Sequence, residues 1–117
     1  VSMDITNFVD GLLIQTDTDG SAPGTGTLST ATGNIGIGKD VFAALTSGDY
    51  NVGIGYQVLD AHTTGGYNVA IGQYAGGAVT TGSGNIFIGK DAGLAMSDGD
   101  DNIAIGANAG ETTSGQN

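Results

Sequence analysis

Asn68-Val69-Ala70-Ile71-Gly72 sets the architecture of this chain. The same pattern starts at Asn34, Asn51, Asn68, Asn85 and Asn102, a 17-residue period that never slips. The other copies read Asn34-Ile35-Gly36-Ile37-Gly38, Asn51-Val52-Gly53-Ile54-Gly55, Asn85-Ile86-Phe87-Ile88-Gly89 and Asn102-Ile103-Ala104-Ile105-Gly106. Two aliphatics one residue apart share one face of a strand, and the residue between them takes the other. On this reading the repeat core is the aliphatic set, with Ile37, Ile54, Ile71, Ile88, Ile105, Val52 and Val69 pointing inward. Gly36, Gly53, Ala70, Phe87 and Ala104 then point away from it. Small in four cases of five, they let another backbone approach that face.

Outward from the motif, each repeat continues in register. A small apolar residue follows at Val41, Val58, Ala75, Ala92 and Ala109, then Ala44, Ala61, Ala78 or Ala95. Hydroxyls come next at Thr46, Thr63, Thr80 and Ser97, then glycine at Gly48, Gly65, Gly82 and Gly99. A fixed short period with β-branched residues and no helical spacing predicts an all-β chain folded as a parallel β-solenoid of five 17-residue coils. The solenoid domain is expected over residues 27–117, with Thr27-Leu28-Ser29-Thr30 as the tail of a degenerate earlier coil. Residues 1–26 read as an N-terminal cap or attachment segment followed by a linker. Within it, Phe8 to Ile14 allows a hairpin around Asp10-Gly11. The polar run Thr112-Thr113-Ser114-Gly115-Gln116-Asn117 reads as a capped end or a break before a further domain.

The chain holds 23 glycines among 117 residues, and they fall at fixed repeat positions, which assigns them to turns. It has no cysteine, so neither a disulfide framework nor a thiolate metal site is expected. No apolar run approaches a membrane-spanning length. Net charge is −10, with Lys39 and Lys90 the only cationic side chains besides His62. That argues against nucleic acid and anionic membrane surfaces as partners. Each coil buries little apolar area against the entropy of ordering its backbone, so a second layer of burial between chains is expected.

The Asn-[Ile/Val]-x-Ile-Gly repeat, followed by Ala75 and its equivalents, resembles the head repeats of trimeric autotransporter adhesins and similar repeats in trimeric bacteriophage fibres. The resemblance covers residues 33–117. It implies a left-handed parallel β-roll, three of which pack side by side as a homotrimer with the repeated strand innermost. The column Gly36, Gly53, Ala70, Phe87 and Ala104 is then trimer-facing. The implied role is a structural and adhesive fibre domain on a virion or cell surface, attaching to a host receptor or glycan beside other structural proteins. The stretch carries neither the coiled-coil stalk nor the membrane anchor of bacterial adhesins, which favours a phage structural protein over an adhesin head.

Candidate sites are few. The column Asn34, Asn51, Asn68, Asn85 and Asn102 is expected to form an amide ladder rather than a ligand site. His62 has no second histidine for a metal pair and is expected to be exposed or half-buried. Asp17-Thr18-Asp19-Gly20 matches part of a calcium loop, but the position of the closing glutamate is Gly26. Asp98-Gly99-Asp100-Asp101 is either a solvated acidic turn or a weak calcium site. No other cofactor is expected. Tyr50, Tyr56, Tyr67 and Tyr74 either stack between coils or contact a receptor. No nucleophile and base fall together, so no enzyme is expected. A hexapeptide acyltransferase helix would need the Ile-Gly-x-x-Ala unit three times per coil, and here it comes once. An ice-binding solenoid is the alternative from another class, because threonines recur in each coil. However, Thr63-Thr64 and Thr80-Thr81 are adjacent, so their side chains diverge.

Overall fold

The structure, a computed structural model, describes Leu12–Ile14 and residues 31–110. These residues contain six three-residue strands: β1 Leu12–Ile14, β2 Ile35–Ile37, β3 Val52–Ile54, β4 Val69–Ile71, β5 Ile86–Ile88 and β6 Ile103–Ile105. All pair in parallel in chain order, as one sheet, and none of the described residues is helical. From β2 onward each residue pairs with its equivalent one period later: Ile35 with Val52, Val52 with Val69, Val69 with Ile86, Ile86 with Ile103. The chain is thus a parallel β-solenoid whose coil length equals the sequence period. Strand β1 extends the ladder but breaks the period, because its partner for Leu12 is Ile35, further along the chain than one coil. The expected turn at Asp10-Gly11, the Asp17–Gly20 segment, Thr27 to Thr30 and the tail from Thr112 all lie outside the described residues.

The turns close through left-handed residues. The glycine after each strand is the clearest case: Gly38, Gly55, Gly72, Gly89 and Gly106 have φ between 121° and 140°. A Cβ on Gly55 would stand 2.8 Å from the carbonyl oxygen of Gly72 in the next coil. The amide of each stacked glycine in turn bonds back to the previous strand, as Gly72 N–H does to the Ile54 carbonyl at 2.9 Å. A side chain here would wedge neighbouring rungs apart, so the glycine column follows from coil stacking.

The core overturns the expected facing of the strands. Gly36, Gly53, Ala70, Phe87 and Ala104 point inward and are buried, so this column is not trimer-facing. The aliphatics Ile37, Ile54, Ile71, Ile88, Ile105, Val52 and Val69 lie on the outer face and are not the repeat core. Interior volume explains the inversion. Val41, Phe42, Leu45, Val58, Leu59 and Val79 enter the same interior from the turns opposite. A Cβ on Gly53 would stand 2.7 Å from Val41 and 3.0 Å from the Phe42 ring. Between strand and turn there is room for one large side chain, not two. In the first coils the turn supplies it, through Phe42 and Leu59, and the strand residue is glycine. In the fourth coil the strand supplies Phe87, and the turn residues around it are Gly76 of the third coil, whose Cβ site the ring shares with Leu59, and Gly93 of the fourth, whose Cβ site the ring fills. Phe42 and Leu59 hold left-handed φ of 58° and 47°. That conformation costs roughly 1–2 kcal/mol per residue, offset by burying a large apolar side chain.

Candidate functional site: an aliphatic face and its edges

The outer face of the sheet carries two columns of β-branched aliphatics. One runs Ile35, Val52, Val69, Ile86, Ile103; the other runs Ile37, Ile54, Ile71, Ile88, Ile105. Ile35 is exposed to 41% and Ile103, on the last strand, to 69%, while Val52, Ile54, Val69, Ile71 and Ile86 are half-covered. A folded chain rarely leaves so regular an apolar face open to water. A rung spacing of about 4.8 Å makes five rungs roughly 24 Å tall.

The asparagine column lies inside, where Asn34, Asn51, Asn68 and Asn85 are buried. Asn68 Nδ2 donates to Asn51 Oδ1 at 2.9 Å and to the Gly82 carbonyl at 2.9 Å. Asn68 Oδ1 accepts from the backbone N–H of Asn85 at 2.9 Å and from Asn85 Nδ2 at 3.0 Å. The same set recurs on Asn51. Each amide therefore fixes the glycine turn of its own coil and locks to the coils on either side. These groups offer nothing to an outside ligand.

The threonine hydroxyls are engaged too. Thr46 Oγ1 donates to the Thr63 carbonyl at 2.9 Å, Thr63 Oγ1 to the Thr80 carbonyl at 3.0 Å, and Thr80 Oγ1 to the Ser97 carbonyl at 3.1 Å. Hydroxyls tied into the inter-coil ladder are poorly suited to an ordered water-binding array.

His62 is fully buried, against the sequence expectation, because its column (Leu45, His62, Val79, Met96) points into the coil. Its Nε2 lies 2.7 Å from the Gly65 carbonyl, which can only accept, so Nε2 carries the hydrogen. Nδ1 is then a bare acceptor, buried with no hydrogen-bond partner. Burial pushes the imidazole pKa below its ordinary value, and the hydrogen bond to the Gly65 carbonyl opposes this only in part.

Tyr50 and Tyr67 stack with centroids 5.3 Å apart and planes 20° from parallel; Tyr56 and Tyr74 meet edge to face at 5.5 Å. The acidic turn is spread out. Asp100 accepts from the Ser83 N–H, Asp98 from the Ser97 hydroxyl, and the Asp101 carboxylate lies over Gly84. Among the described residues no group of three or more His, Cys, Asp or Glu side chains is placed to hold a metal ion. The sequence signal for the outer face is its paired β-branched columns, which the rule that aliphatics go inside assigns to the core. No protein-family model, curated protein or solved structure matches this chain.

Proposed function

We propose that this domain is a structural and adhesive fibre module, carried on a virion or cell surface, that works as a parallel homotrimer. The observation that carries the reading is the outer face of Ile and Val described above. A partner that covers it must repeat apolar groups at the same rung spacing over five rungs, and a second copy of this chain does so in register. Three sheets facing one axis bury all their aliphatics in a common apolar interior, which adds the layer of burial that a thin coil lacks. The remaining surface is built on turns and carries acidic side chains and exposed tyrosines, which suits a rigid rod that holds its outer turns toward a host receptor or glycan.

Light scattering and native mass spectrometry at micromolar concentration test the assembly. The expected species is a trimer. Ile54→Asp with Ile71→Asp should abolish it by placing carboxylates at the axis. An unassociated wild-type chain, with circular dichroism characteristic of a folded solenoid, would overturn the trimer. Antibodies raised against the domain should label the surface of intact particles or cells; labelling only after lysis would overturn the surface role.

A further inference from the structure

Each rung of the sheet is edged by two columns of side chains. Gly33, Tyr50, Tyr67, Gly84 and Asp101 stand two residues before the first outward aliphatic, and Lys39, Tyr56, Gln73, Lys90 and Ala107 stand two residues after the second. The first column is left-handed throughout, with φ between 56° and 72°. Its side chains lean back over the preceding rung. The Tyr50 ring lies 2.6 Å from where a Cβ of Gly33 would stand, Tyr67 stacks on Tyr50, and the Asp101 carboxylate covers the Cβ site of Gly84. Gly84 has no side chain to lay over Tyr67, a residue that is 68% exposed. The rung of Gly84 is therefore a notch, with an aromatic face on one side and a carboxylate on the other.

The second column has a matching irregularity. The chain has two lysines, and both stand on rungs whose first-column residue is glycine: Lys39 with Gly33, Lys90 with Gly84. The rungs that begin with Tyr50 and Tyr67 end with Tyr56 and Gln73 instead. Within one chain these columns are at opposite ends of a strand and cannot fill each other. Around a three-fold axis they meet. Three directed strands on one level form a closed triangle, so the end of each strand abuts the start of the next copy's strand at every corner.

We infer that Lys90 of one copy sits in the notch at Gly84 of the next, with its ammonium between that copy's Asp101 carboxylate and the open face of Tyr67. This rests on the trimer proposed above. A carboxylate and a tyrosine face both attract an ammonium at a surface. The Lys90 side chain is 60% exposed and pairs with Asp91 of its own copy. At the first rung the same geometry lays Lys39 over Gly33 of the neighbour, against its Tyr50 ring. The corner contacts would then set the register and direction of copies that the aliphatic face alone would let slide by a rung.

Cysteine cross-linking tests this, because the chain has no cysteine of its own. The double variant Lys90→Cys, Asp101→Cys, treated under native conditions with a bismaleimide about as long as the lysine side chain it replaces, should run as a covalent trimer on a denaturing gel, and either single variant should not. A variant that stays trimeric by light scattering yet forms no inter-chain bond would overturn the corner contact and leave the trimer standing. A monomeric wild type would overturn both. If the double variant fails to fold, carbodiimide coupling of the wild-type protein replaces it, with inter-chain Lys90–Asp101 linked peptides as the expected product and their absence from a trimeric sample as the overturning one. Separately, Lys90→Glu should raise the assembly midpoint concentration about tenfold at low salt. Lys90→Glu with Asp101→Lys should restore it, and unchanged assembly in the single variant would sink the electrostatic part.

Discussion

The ring of Phe87 lies 2.9 Å from where a Cβ of Gly76 would stand, and it fills the space that Phe42 fills from the other side of the coil two repeats earlier. The pairs Phe42–Gly53 and Gly76–Phe87 are the same contact with its members exchanged. Gly76→Phe alone should overfill the core and destabilise the domain by about 1–3 kcal/mol or more. Phe87→Gly alone should leave a cavity costing at least about 3–5 kcal/mol. The double variant recreates the Phe42–Gly53 arrangement, with φ of 63° at position 76 against 58° at Phe42. It should be more stable than either single variant. Urea denaturation of all four proteins gives the coupling energy, and additive losses would mean that the two positions do not share one space.

Asn68→Ala should be among the most damaging polar substitutions. It leaves the Asn85 backbone N–H and the Gly82 carbonyl without their partner, both within the core, while Asn51 Oδ1 keeps only the backbone N–H of residue 68. Each buried orphan costs about 1–3 kcal/mol. Asn102→Ala should cost less, since Asn102 is only half-buried and its amide donates to Asn85 and to the Asp100 carbonyl near the end of the described stack. Thermal melts that rank the two equally would remove the ladder as a stabilising element.

His62 should make stability depend on pH. Burial lowers its folded pKa below the unfolded value of about 6.5, so the unfolded chain binds the extra proton first. The contribution is therefore complete above about pH 6.5 and is lost as pH falls toward the folded pKa. His62→Leu, which copies Leu45 in the same column, should flatten the curve in that window. Asp60, whose pKa burial raises, acts with the opposite sign: its contribution falls as pH rises from about 3.8. An unchanged pH profile in His62→Leu would show that the imidazole does not titrate on unfolding.

Two glycines of one column should differ. Gly55→Ala meets both the left-handed φ of 140° and the Gly72 carbonyl 2.8 Å away. Gly106→Ala meets the φ of 121° but no atom within 4 Å. The conformational part costs about 1–3 kcal/mol in each case. Only Gly55→Ala should add a steric term and lower the melting temperature further. Equal losses would show that the backbone conformation, not coil stacking, enforces the glycine.

The period, the parallel solenoid, the strand positions and the asparagine column were all legible in the amino-acid order, because each follows from a repeat that never slips between Asn34 and Asn102. So was the pairing of the two aliphatics of every strand on one face, since strand geometry alternates by two. Which face they share depends on the folded coil. Alternation is symmetric, and the rule that aliphatics go inside fails where turn residues far along the chain have already filled the interior. Phe42, Leu59 and Val79 arrive from across the coil, and only their volume shows that the strand centre must be small. The burial of His62 escapes sequence reasoning for the same reason: its column becomes legible only once Leu45 and Val79 are seen to point inward. The tyrosine–glycine–aspartate edge likewise becomes visible only when stacking shows that each side chain leans over the rung before it, a relation between residues one period apart that strand alternation alone does not encode.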